Sequence, residues 1–158
     1  MMKSILLKLA MTLVVLFAAY FGFMLLSTDN NAQEQGHIRL VIVDENDDTV
    51  FDGQLIYHED DTFFDVLNRA FDLTCANGQY QEDPTCTYTF PMIPTNEKVV
   101  LNIKGDTFEI KTNWQDTFLA FEYYDGASYR LFSQGVNSLS YTDKSHIRIK
   151  VTAVGQTS

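Results

Sequence analysis

Two cysteines, three histidines and a large excess of carboxylates are the residues through which this 158-residue chain could do chemistry. Cys75 and Cys86 flank a polar loop, ANGQYQEDPT, that contains one glycine and one proline. A zinc site would need a second such pair or a histidine close by in sequence, and the chain offers neither. The pair is therefore expected to form a disulfide, which leaves no thiol nucleophile. His37, His58 and His146 fall at strand ends or in turns. Two of them begin similar segments, HIRL and HIRI, as exposed strand positions do. Adjacent carboxylates such as Asp60 and Asp61 point to opposite faces of an extended chain and make poor acid–base partners. Asp44, Asn46 and Asp48 have the spacing of a calcium loop. Thr49 then stands where that loop needs glycine, and Leu55 where it needs a bidentate glutamate. No glycine-rich phosphate loop, His-Glu-x-x-His or Gly-x-Ser-x-Gly occurs. The expectation is a protein with no catalytic residues, no metal and no cofactor of its own.

Aromatic side chains are the better candidates for binding. Trp114, the single tryptophan, lies in a polar turn (TNWQD), and Tyr123, Tyr124 and Tyr129 surround the turn at Asp125-Gly126. Such rings offer apolar area with a polar tip, suited to a planar or amphipathic ligand. The competing reading has Trp114 folded back as a lid on the core and the tyrosines as ordinary cross-strand pairs.

The elements that must position these rings follow from periodicity. Residues 37–44 (HIRLVIVD) alternate, with Ile38, Leu40 and Ile42 on one face, and Val41 and Val43 add apolar character to the other. An acidic turn leads to residues 49–57, which completes an opening hairpin. The pattern predicts one helix over residues 62–71, where Phe63, Val66, Leu67, Ala70 and Phe71 make a single stripe. Thr62 and Asp65 have the spacing of a capping box. Ten residues are too few to hold a helix alone in water, so the stripe must lie on a sheet. Residues 99–104 and 107–112 flank Gly105-Asp106, read as a two-residue hairpin turn with glycine first. Residues 118–124 form another strand, residues 133–138 a glycine-containing loop, and Asp143-Lys144 a final turn. Residues 146–151 alternate Ile147, Ile149 and Val151 against His, Arg and Lys. The fold class expected is α+β, a mixed or antiparallel sheet with one packed helix.

Residues 9–26 carry no charge and would span about 27 Å as a helix, close to the hydrocarbon thickness of a bilayer. Lys3 and Lys8 precede this run, and the first acids follow it, so the remainder is expected outside the cytoplasm. The basic start fits both a signal anchor and a cleaved signal peptide. The length of the run and the bulky Met24, Leu25 and Leu26 favour the anchor. The expected organisation is a transmembrane segment at 1–26, a polar linker at 27–36 and one domain at 37–154. Nine basic residues face 21 acidic ones beyond residue 26, a formal net charge of −12 with histidines neutral. That balance disfavours nucleic acid and anionic lipid headgroups as partners.

Three segments in order, the opening hairpin running into DTFFDVLNRAF, then TNWQDTFLAFEYYDG, then GVNSLSYTDKSHIRIKVT, resemble the transcobalamin-like C-terminal domain family. This family occurs in vitamin B12 carriers and bacterial surface proteins. The resemblance spans residues 38–154. It rests on Asp61 and Thr62 leading into a hydrophobic helix (Phe63, Val66, Leu67), on the strand ending at Asp125-Gly126, and on the closing stretch from Gly135 to Ile149. Asp143-Lys144-Ser145 departs from the Asp-Gly-Asp of that closing pattern. The resemblance implies a β-grasp-like fold and an extracytoplasmic location. It implies a corrinoid as a ligand class, but none of these motifs carries a corrinoid-binding residue. The function expected is a membrane-anchored, non-enzymatic domain binding a cofactor- or vitamin-like molecule. The alternative is a surface interaction or structural domain with no small-molecule ligand.

Overall fold

The computed structural model describes residues 35–91 and 96–155, and the predicted membrane segment and most of the linker lie outside them. Among the described residues no helix is long and apolar enough to cross a membrane. Twelve elements follow in order: β1 (Gln35–Val43), β2 (Thr49–His58), α1 (Phe63–Ala70), β3 (Asp72–Ala76), β4 (Glu82–Asp83), β5 (Phe90–Pro91), β6 (Asn96–Glu97), β7 (Val100–Lys104), β8 (Glu109–Lys111), β9 (Thr117–Tyr124), β10 (Tyr129–Leu131) and β11 (His146–Ala153).

The main sheet has the order β10-β9-β11-β1-β2. Its first and last long strands, β1 and β11, run parallel side by side, with Leu40 opposite Ile147 and Ile42 opposite Ile149. All other pairs in it are antiparallel, so the sheet is mixed. A second sheet, β4-β3-β7-β8, is antiparallel. The alternation read from the sequence decides which face of the main sheet is covered. Ile38, Leu40, Ile42, Leu119, Ile147, Ile149 and Val151 are buried and join one core cluster with Phe63, Val66 and Leu67 of α1 and Leu73, Val100, Ile103 and Ile110 of the second sheet. Helix and second sheet thus cover the same face, and the other face of the main sheet carries no packed element among the described residues.

Helix α1 starts as its sequence dictates. Thr62 is the N-cap, its hydroxyl accepts from the Asp65 amide at 3.2 Å, and the Asp65 carboxylate accepts from the Thr62 amide at 2.9 Å. The chain leaves the helix at Phe71, which is extended. The buried stripe is Phe63, Phe64, Val66 and Leu67, so Phe64 replaces the expected Ala70, which is exposed. Phe64 joins the core cluster that includes Leu73, Val100 and Ile103 of the second sheet, and the ammonium of Lys98, in the stretch before β7, lies 4.8 Å from its ring centre.

Three further points differ from or sharpen the sequence reading. The β7–β8 turn has Asp106 and Thr107 at its tip, closed by the Gly105 N–H donating to the Phe108 carbonyl at 3.0 Å. It lies one residue beyond the expected Gly105-Asp106. The acidic β1–β2 turn is a local hydrogen-bonding device, because the Asp44 carboxylate accepts from the amides of Asn46 (2.8 Å) and Asp48 (3.0 Å). Glycine in the 133–138 loop has a packing reason: a side chain at Gly135 would overlap the buried Glu97 carboxylate. That carboxylate accepts from the Asn137 amide at 2.8 Å and from the Ser138 hydroxyl. Cys75 and Cys86 are joined in a disulfide, Cα to Cα 5.0 Å.

Candidate functional site: the open face of the main sheet

Because side chains alternate along a strand, the helix-free face collects every second residue of the five neighbouring strands. Register places Arg39, His146 and Tyr124 in one row, with Tyr129 opposite Tyr124 on β10. The next row holds Asp52, Val41, Arg148, Glu122 and Leu131. Strand pairing alone therefore assembles a surface from three separated stretches of chain, residues 39–52, 122–131 and 146–148.

Tyr129 stands at its centre. Its hydroxyl lies 2.7 Å from His146 Nε2, and its ring centre is 5.3 Å from the His146 ring and 5.4 Å from Tyr124. The Arg148 guanidinium stacks over the Tyr129 ring at 3.8 Å, a planar cation–π contact suited to arginine. Each guanidinium is held by a carboxylate: Arg148 to Glu122 at 2.5 Å, Arg39 to both oxygens of Asp52 at 2.9 and 2.7 Å. Burial pushes the Tyr129 phenol up from its ordinary value. Burial first, and then the nearby Arg39 charge, push the His146 imidazole down. Both shifts favour the neutral forms at pH 7. In the Nδ1–H tautomer the phenol donates to Nε2, so the pair is a fixed hydrogen-bonding platform.

Beside this platform a cleft of about 600 Å³ runs along β9 and β11. Phe118, Ala120 and Leu131 give it an apolar wall, and Glu45, Asp47, Glu122 and Lys150 give it a polar one. Lys150 is paired with Asp47 at 2.5 Å. Its size lies within the roughly 300–1,000 Å³ usual for ligand clefts. A smaller cleft of about 280 Å³ wraps the end of the sheet between Tyr123, Tyr124, Phe132, Ser140 and His146.

The four aromatics singled out in the sequence do not form one site. Tyr124 and Tyr129 are together on the open face. Tyr123, their neighbour, points to the opposite face, its ring 5.0 Å from Phe132. Trp114 sits at the far end of β9, with a left-handed φ of 59°. It makes an edge contact to Phe118 at 6.2 Å and is 37 % exposed. From Thr117 to Tyr123 the strand rises about 20 Å. Trp114 thus reaches the open face only through Phe118, one wall of the larger cleft. His146, Arg148 and Arg39 belong to the platform although their sequence pattern read only as exposed strand. The alternation HIRIK placed His146 and Arg148 on one face. What it lacked was the pairing of β10 with β9, which brings Tyr129 over them. His58 is engaged elsewhere, 3.2 Å from Asp61. Among the described residues no cluster of three potential metal ligands occurs.

No protein-family description matches this chain, and no curated protein does. A comparison with solved structures aligns it with haptocorrin in complex with Cbi, at a TM-score of 0.47 and 13% identity, over 78% of this chain and 26% of that one. The chain therefore spans about a quarter of that protein's length, and nothing about its own ligand follows from the match.

Proposed function

We propose that the described domain is a non-enzymatic binding module for a planar, amphipathic small molecule, seated on the open face of the main sheet. The observation that carries this reading is the platform of Tyr124, Tyr129, His146 and Arg148 next to a cleft large enough for a cofactor-sized ligand. Neutral Tyr129 and His146 offer hydrogen bonds and ring faces without a fixed charge, and Arg148 orients the phenol ring. The main sheet, with β1 and β11 parallel at its centre and a helix on one face, is assigned to the β-grasp-like class. The apolar residues 9–26 anchor the module in the membrane, with the domain on the extracytoplasmic side. The Cys75–Cys86 disulfide supports that side, because such bonds persist in oxidising compartments.

A corrinoid is the first ligand to test, as the class the family resemblance implies. Titration calorimetry of the full-length chain in detergent would use cobinamide, a porphyrin and a flavin. Saturable binding of one of them, weakened about tenfold or more by Tyr129→Ala, is the expected result. A flat response to all three rejects a ligand of this kind. A reporter fused to the C-terminus tests the location separately, and activity of a cytosol-only reporter would overturn it.

A further inference from the structure

The disulfide-closed loop presents a second set of rings, away from the open face. Tyr80, 55% exposed, is the most exposed aromatic among the described residues, and Tyr88 is 40% exposed. Both flank Phe90, each with its ring centre 5.0 Å away. Phe90 in turn packs on the small cluster of Ala76, Val99 and Leu101. The loop is built to hold these rings outward. The disulfide ties its far end to β3. The Asn77 side-chain oxygen accepts from the amides of Gln79 (2.9 Å) and Gln81 (3.0 Å). The Asp83 carboxylate accepts from the Thr85 amide at 2.9 Å and its hydroxyl at 2.6 Å. Gly78 leaves room for the Tyr88 ring to lie against the backbone, where a Cβ would come within 2.9 Å of it. Tyr80 itself adopts a left-handed φ of 60°, which aromatic residues rarely do.

Charge narrows the partner. Between Ala76 and Pro91 the loop carries Glu82 and Asp83 and no lysine or arginine. The two lysines that reach it are engaged, Lys111 with Glu82 at 2.6 Å and Lys98 with the Cys86 carbonyl. A phosphate-rich or sulfated polymer would meet no free counter-charge there. A neutral sugar ring fits: its axial C–H groups suit the electron-rich face of a tyrosine. The exposed amides of Gln79 and Gln81 can donate to and accept from hydroxyls. We infer that the exposed rings of Tyr80 and Tyr88, tilted by 31° and edge-on at 82° to the half-buried Phe90 that supports them both, offer stacking faces to a neutral glycan chain. This site is independent of the ligand on the open face.

Titration calorimetry of the full-length chain in detergent, with cellohexaose and the N-acetylglucosamine hexamer, tests the inference. At least one of them binds saturably, and Tyr80→Ala or Tyr88→Ala weakens it about tenfold, while Tyr129→Ala leaves it unchanged. Tyr80→Asn removes the ring with a residue that tolerates left-handed backbone. It weakens binding as Tyr80→Ala does without lowering the thermal midpoint, whereas Tyr88→Phe keeps binding. Absence of binding to both sugars, or binding that survives Tyr80→Asn and Tyr88→Ala, overturns the glycan site.

Discussion

At the ring of His146, burial and two neighbouring guanidiniums act in the same direction, holding the imidazole below its ordinary value. Asp52 opposes them only in part. The unfolded chain therefore binds this proton more readily than the folded one. The stability that follows is present above the unfolded pKa of about 6.5 and is lost as pH falls through the lower folded value. NMR titration of the His146 ring in the full-length chain gives a midpoint below about 6.5. A midpoint at or above that value would mean that the ring is not buried beside the guanidiniums as described. The residues of this platform were only half legible in the sequence. Tyr124 and Tyr129 stood out as exposed aromatics near a turn, whereas His146 and Arg148 looked like solvated strand positions. Their partners come from strands paired across a long stretch of chain, and no local pattern reports such pairing.

At the scale of elements, the clasp at the start of α1 is held by Asp61. Its carboxylate accepts from Arg69 at 2.5 Å and from the His58 amide at 2.8 Å, while Arg69 also reaches the Ile56 carbonyl at 3.1 Å. The Tyr141 hydroxyl donates to the Asp61 carbonyl at 2.6 Å, and burial pushes that phenol up to about 12. The Arg69 guanidinium, with the His58 amide, holds the Asp61 carboxyl down at about 2. This contribution is present above the unfolded carboxylate value and is lost as pH falls through about 2. Arg69 is 44% exposed, and after solvent screening the clasp contributes about 1–2 kcal/mol. Asp61→Asn is expected to lose that much in urea unfolding at pH 7, and no loss would show the clasp to be idle. The helix and its capping box were legible because cap spacing and the apolar stripe are local signals. The hairpin tip at Asp106-Thr107 was missed by one residue, since glycine alone does not fix a turn's register. The burial of Phe64 depended on a second sheet that periodicity does not reveal.

For the whole molecule, the disulfide joins two residues 11 apart on a domain that presents one sheet face to solvent. Loop-closure entropy gives it about 2–3 kcal/mol. The double variant Cys75→Ser/Cys86→Ser is therefore expected to lower the calorimetric Tm by roughly 10 °C. An unmoved Tm would show that the loop is held without the bond. The layered arrangement puts a helix and a second sheet on one face and, among the described residues, leaves ring and charge pairs uncovered on the other, where the proposed ligand would sit. Ring-selective NMR of the full-length chain, with cobinamide, a porphyrin and a flavin titrated in turn, measures this most directly. Saturable shifts of the Tyr124, Tyr129 and His146 ring signals, with Tyr80 and Tyr88 unmoved, are the result expected. Shifts confined to other rings, or none with any of the three, would contradict binding on the open face.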